Sequence, residues 1–340
     1  MESTGALAPW LFLGVFIAAS FVMIWRLECM AADGLDGTVL GTVVMPYLTG
    51  LGNLIFAFVL GRQGGKPSDV LTNCLVNNVS NMTFVLGVPA IIWDMNILPS
   101  RKTSAKAGKS KSKGKSKSKK AGDQTNEVNR LSLLLTLLAI LFFTGTTWAL
   151  GSSGSIGFSD GLVLVGIFLF WQCFHVFDVL KSNVRQNKSL SWMLPVDLAI
   201  LALCGYATYL STDWLVNWIS HIHTGFISAK YMGLLSGWLM VLPNATLAVY
   251  YGITGRPEVV YTSQVGDSHI CIPLCIGVFA LYRRIPTPGF FSASVFILLG
   301  ATVLHFVCIG VLGRLPRTVG WVLVAAYGYF LYLVYNGLAG

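Results

Sequence analysis

Apolar residues run along this chain in blocks separated by short polar stretches. A bilayer crossing takes roughly 20 mostly apolar residues, and blocks of that length fall at 7–27, 36–61, 69–98, 130–151, 158–181, 192–220, 228–253, 258–283, 289–312 and 318–337. The pattern predicts ten membrane helices, even though 192–220 carries Asp197 and Asp213. No basic residue precedes the first block and no small-residue cleavage signature follows it, so it reads as a retained helix and not as a signal peptide.

Polar residues inside these blocks repeat. Asn53 is followed by Ala57 and Gly61, then by Gly65-Lys66-Pro67; Asn244 is followed by Ala248 and Gly252, then by Gly255-Arg256-Pro257. Beyond each proline, polar groups stand at +6, +10 and +11: Asn73, Asn77 and Asn78 in one copy, Ser263, Asp267 and Ser268 in the other. The copies sit in the second and seventh blocks, five crossings apart, so they point in opposite directions. The expectation is an all-α polytopic membrane protein with about ten transmembrane helices in two inverted-topology five-helix repeats. The first repeat takes 1–98 and 130–185, interrupted by a loop at 99–129, and the second takes 190–340. Duplicated halves with polar, interrupted helices are the sequence sign of a transporter whose site lies at the repeat interface.

Composition agrees: 54% of residues are hydrophobic and 11% charged, with a mean hydropathy of +0.69, far from a soluble globular domain. Charge supplies an orientation. With both termini outside and the 99–129 loop cytoplasmic, 18 of the 23 Lys and Arg fall on the inside, as the positive-inside bias requires. Most of that margin comes from 101–120, a Lys/Ser/Gly/Ala stretch with ten positive charges. It cannot bury enough surface to offset chain entropy, so disorder is expected across 99–129. It reads as a solvated linker that enforces topology, or as a contact for anionic lipid or a protein partner. No aromatic residue interleaves its lysines, which argues against nucleic acid.

The candidate site residues are the amides Asn53, Asn77, Asn78, Asn81 and Asn244, the hydroxyls Thr49, Ser263 and Ser268, and Asp267. An acid within a membrane span is costly and marks a functional site by default, and His269 beside it offers a titrating neighbour. Asp267, Cys271 and Cys275 share a helical face at i, i+4 and i+8. That makes Asp267 a candidate metal ligand in a soft site, although small cysteines at a packed helix interface explain the pattern as well. The seven cysteines are scattered and imply no disulfide framework. Nothing matches a phosphate-binding loop, a nucleophile elbow or a zinc-protease helix, so enzyme chemistry is not expected.

The two copies resemble the α-repeats of the calcium/cation antiporter superfamily, which includes the sodium/calcium exchangers. That family carries a Gly-Thr-Ser-x-Pro-Glu motif in one helix and a Gly-Asn-x-x-Gly-Ser-Asn/Asp motif in the next, twice, with inverted topology. Thr49-Gly50-Leu51-Gly52-Asn53 stands at the first position and Leu239-Met240-Val241-Leu242-Pro243-Asn244 at its counterpart. Asn73 to Asn81, ending in Phe84-Val-Leu-Gly87, resembles the partner motif, and Ser263-Gln-Val-Gly266-Asp267-Ser268 its second copy. The resemblance implies a secondary cation antiporter that works by alternating access, in the lipid bilayer, with bound Na⁺ or Ca²⁺ as cargo and no cofactor. Both family glutamates are replaced, by Asn53 and Asn244. Calcium takes six to eight oxygens, usually several of them carboxylate, so a monovalent cation or a proton is expected in preference to Ca²⁺. The alternative is a non-transporting subunit or sensor on the same fold that binds a protein partner.

Overall fold

The computed structural model describes residues 7–32, 45–93, 95–97, 115–186 and 194–339. Among these, ten helices follow one another. They are α1 (Ala8–Ala32), α2 (Met45–Arg62), α3 (Pro67–Ile92), α4 (Lys115–Gly151), α5 (Phe158–Gln186), α6 (Leu194–Ser220), α7 (Met232–Ile253), α8 (Pro257–His269, continued by Ile270–Cys275 and Ile276–Tyr282), α9 (Phe291–Val307) and α10 (Arg317–Ala339). Among the described residues eight helices are long and apolar enough to cross a membrane, and two shorter apolar stretches lie at Gly50–Arg62 and Phe158–Phe174. The protein is an integral, multi-pass membrane protein with an all-helical fold in two repeats.

Among the described residues four two-residue strands cap the bundle, and their pairing displays the inverted symmetry. Strands β1 (Met95–Asn96) and β2 (Ser155–Ile156) belong to the first half, β3 (Ile285–Pro286) and β4 (Arg314–Leu315) to the second. β1 pairs antiparallel with β4, and β2 with β3, so each ribbon joins one repeat to the other. Helix packing follows the same rule: α3 lies on α7 and α8 on α2, while the end of α3 meets α10 and the end of α8 meets α5.

The centre belongs to α3 and α8. In each, 78% of the apolar window is buried, against 22% for α10, whose outer face is left for lipid. Proline sets the N-terminus of both central helices, at Pro67 and Pro257, where its missing N–H is an orphan in any case. Both then loosen in mid-span through a π-helical turn, at Asn81–Val85 in α3 and Ile270–Cys275 in α8. Pro273 removes a donor from the second turn, and Ile272 before it is extended (φ −125°, ψ 111°), so α8 is interrupted there. Close approach of α7 to α3 depends on Gly237: a Cβ at this position would stand 2.6 Å from Cβ of Val76.

Two expectations differ from this structure. Helix α3 ends at Ile92 and not at 98, because the chain leaves it to form β1. Helix α4 begins at Lys115, so residues 115–129, expected to be disordered, continue a helix; the apolar span supplies the nucleus, and added turns then cost no nucleation. The remainder of the lysine stretch, 101–114, lies outside the described residues, as do 36–44 of the second expected span.

The two acids of α6 are both matched. Asp197, 3% exposed at its side chain, pairs with Arg26 of α1. Asp213 pairs with Arg62 of α2 at 2.6 Å and also accepts from Gln63 at 2.9 Å. Such pairing is how an apolar span tolerates two carboxylates.

Candidate functional site

Asp267 projects from α8 just before its interruption and is fully buried. Three amides converge on its Oδ2. Asn77 and Asn81, one turn apart on α3, each donate Nδ2–H at 2.7 Å, and Asn244 of α7 donates at 3.1 Å. The carboxylate therefore collects donors from both repeats. Asn77 also donates to Sγ of Cys271 at 3.1 Å. Asn78 points along the same interface and donates to the Ser268 carbonyl at 3.1 Å.

These donors leave acceptors behind. The side-chain oxygens of Asn53, Asn73, Asn77, Asn78, Asn81 and Gln264 are buried with no hydrogen-bond partner. A buried amide oxygen without a donor costs about 1–3 kcal/mol each, and native folds carry few such groups. These six oxygens, carried by α2, α3 and α8, are unmatched acceptors suited in chemistry to a positive charge.

The other expected residues divide. Asn53 is fully buried on α2 and neither atom of its amide is hydrogen-bonded; Cys275 of α8 donates to its backbone carbonyl at 3.4 Å, which ties α2 to the site helix. Asn73 donates to Ser236 of α7 at 3.0 Å. Ser263 and Ser268 are buried, yet their hydroxyls turn back on carbonyls of their own helix, Val260 at 3.1 Å and Gln264 at 3.3 Å, as hydroxyls in helices readily do. Thr49 is on α2, and its side chain lies outside the described residues. Among the described residues no group of three or more His, Cys, Asp or Glu is disposed to hold a metal ion. Of the groups weighed as a soft centre with Asp267, Cys271 faces the Asn77 amide and Cys275 a backbone carbonyl.

Three neighbours were not singled out from the sequence as part of the site. Gln264 lies one turn before Asp267 and donates to the Asn244 carbonyl at 3.3 Å and to Ser263 at 3.1 Å; a polar residue at i−3 of the acid was the available signal. His305 of α9, completely buried, is a hydrogen-bonded core histidine whose Nε2 lies 2.8 Å from the Met82 carbonyl in the π-helical turn of α3. Tyr327 of α10 bridges α3 and α7, taking Ser80 at 3.1 Å and Trp238 at 2.9 Å. His269 turns its ring between Phe143 and Trp171, with centroids 5.8 and 5.9 Å away.

Inverted five-helix repeats, interrupted central helices and a polar site where the repeats meet define the architecture of a membrane carrier. The profile of the family described as sodium/calcium exchanger protein matches residues 5–177 and 196–336. The chain belongs to that family, which is one of cation antiporters and not a class of enzymes. Among solved structures it is similar to the sodium-calcium exchanger NCX_Mj. The form soaked with 2.5 mM Na⁺ and 10 mM Sr²⁺ superposes with a TM-score of 0.67 at 17% identity, over 98% of this chain and 99% of that one. The form soaked with zero Na⁺ and Ca²⁺ gives 0.62 at 15% identity, over 97% and 98%. At such identity the likeness establishes the fold. None of the curated proteins compared with the chain matches it.

Proposed function

We propose that the chain is a secondary-active antiporter that carries a monovalent cation or a proton in preference to Ca²⁺, by exposing a site centred on Asp267 to each side of the bilayer in turn. The observation that carries this reading is a lone carboxylate ringed by amides from both repeats, at 2.7, 2.7 and 3.1 Å. An ionised carboxylate is acceptor-only, and three N–H donors suit it. One carboxylate balances one positive charge. A desolvated Ca²⁺ brings two, and the uncompensated half would sit in a low-dielectric interior at a cost of several kcal/mol.

Asn53, Asn77, Asn78, Asn81 and Asn244 are the neutral ligands in this reading. Turning an amide about its last bond replaces the N–H presented to Asp267 by an oxygen presented to a cation. Thr49, Ser263 and Ser268 take supporting places. The orientation favoured by the basic residues, with both termini outside and 99–129 cytoplasmic, belongs to the same proposal.

Flux in proteoliposomes tests it. Na⁺, K⁺ or proton movement coupled to a counter-cation is expected, and it should be strongly reduced in Asp267→Asn protein that still elutes as a monodisperse species. Ca²⁺ uptake as fast as that of the monovalent ion would sink the selectivity. No ion-dependent flux under any gradient would sink the transport reading and favour a subunit that binds a protein partner.

A further inference from the structure

Away from the central site, a cavity of 440 Å³ opens where the turn between α4 and α5 meets the end of α8. Its wall includes Ser153, Ser155, Ser159, Arg283 and Arg284. Both arginines are held in place by uncharged partners. Nη1 of Arg283 donates to the Gly65 carbonyl at 3.1 Å, and Nε of Arg284 donates to Oγ of Ser155 at 2.8 Å. Among the described residues neither forms an ion pair with a carboxylate. A guanidinium has five N–H donors in a fixed fork, so each keeps donors in reserve. Asp160 also lines the cavity, but its Oδ2 accepts the Gly157 N–H at 2.7 Å and closes the first turn of α5. The balance of two guanidiniums against one carboxylate is positive, and the N-terminal end of α5 adds to it.

By helix length the cavity falls at the end of the apolar region, where the bilayer interface is expected. Spans Arg130–Gly151 and Val259–Tyr282 both end at it. Phe158 and Tyr282 stand at its rim, 61% and 73% exposed, at the level where aromatic rings meet headgroups. A ligand reaching this place from the bilayer brings its phosphate first.

We propose that this cavity binds the phosphate of an anionic phospholipid headgroup, with Arg283 and Arg284 taking the phosphate oxygens through charge-assisted pairs and the serine hydroxyls taking those left over. Arg283 already reaches the turn between α2 and α3, and Arg284 reaches β2. A headgroup on both therefore fastens the two repeats together at this face.

The full chain, delipidated in a neutral detergent, is the material for the test, and thermal unfolding is the readout. Phosphatidylglycerol at a hundredfold excess over its dissociation constant should raise the midpoint by about 5 °C. Arg284→Gln, which leaves the Arg283–Gly65 bond in place, should lose most of that rise. Native mass spectrometry should show a retained lipid on the unaltered chain and none on the double variant Arg283→Gln/Arg284→Gln. An equal rise with phosphatidylcholine, or a rise that survives in both variants, overturns the arginine cavity. An equal rise with inorganic phosphate alone overturns the lipid source. The measurement needs no ion flux, so it stands or falls apart from the transport reading.

Discussion

Asn77 donates to Asp267 across 190 residues of sequence, and these two are each other's counterparts, ten residues beyond the proline of their own copy. Equivalent positions of two repeats can touch only beside the symmetry axis. The axis therefore runs through the amide–carboxyl contact, and the one symmetry-breaking change there, amide to acid, places a single carboxyl group on it.

That relationship allows the charge to be moved. Asp267→Asn should lower cation flux by about 100-fold, the order expected when a charge-assisted contact of roughly 3 kcal/mol is lost. The exchange Asn77→Asp/Asp267→Asn returns the carboxylate to the axis from the other repeat. It should recover flux to within about tenfold of the unaltered protein, since each tenfold is ~1.4 kcal/mol. Initial rates in proteoliposomes decide the matter. If the exchanged pair is as inactive as the single variant, the charge does not act from the axis.

Restoring the family acids should change the ion. Asn53→Glu/Asn244→Glu brings the carboxylates near the site to three, enough for a divalent cation. Without a cation these like charges repel, so the midpoint of unfolding should fall; added Ca²⁺ should restore it, and monovalent flux should drop. Thermal unfolding with and without Ca²⁺ gives the answer. Indifference to Ca²⁺ would place Asn53 or Asn244 outside the cation's reach.

The sequence carried the architecture because hydrophobic length and polar spacing are one-dimensional signals. Asn53 and Asn244, an inverted pair at matching positions, pointed to two repeats, and Asp267 stood out as an acid in an apolar block. Other features were not legible. A two-residue strand such as β1 has no periodicity to detect, and only its pairing with β4 gives it meaning. The direction of a hydroxyl is a local choice that spacing does not carry: Ser263 and Ser268 each donate to a carbonyl of their own helix. The lysine stretch was read from composition, which ignores that α4 can propagate upstream from an apolar nucleus to Lys115.

The two arginine–aspartate pairs of α6 should differ in weight. The Arg26–Asp197 side chains are 13% and 3% exposed, those of Arg62–Asp213 are 52% and 30%. Arg26→Ala strands a buried carboxylate, at a cost of about 3–5 kcal/mol. Arg62→Ala loses a solvent-screened pair, which contributes little to stability. Unfolding midpoints in detergent should therefore fall steeply for the first variant and hardly for the second. Equal losses would mean that Asp197 finds another partner when Arg26 is gone.

His305 reaches the site through backbone. Its Nε2 can only donate to the Met82 carbonyl at 2.8 Å, which fixes the tautomer, and its ring lies edge-on to Tyr261 at 5.5 Å. Met82 follows Asn81, whose amide is one of the three on Asp267. The bond thus pins the π-helical turn that aims Asn81. In His305→Ala the carbonyl is left buried and unmatched at a cost of about 1–3 kcal/mol, and the turn can relax away from the carboxylate. Because Asn81 contacts the site and His305 does not, the loss should appear as a raised KM for the cation, by about fivefold to a hundredfold on that energy scale, with the maximal rate less affected. His305→Gln keeps an N–H donor near the same place and should recover most of the affinity. Concentration-dependent flux separates the cases: an equal rise in KM for Ala and Gln, or a loss confined to the maximal rate, would show that His305 only fills space in the core.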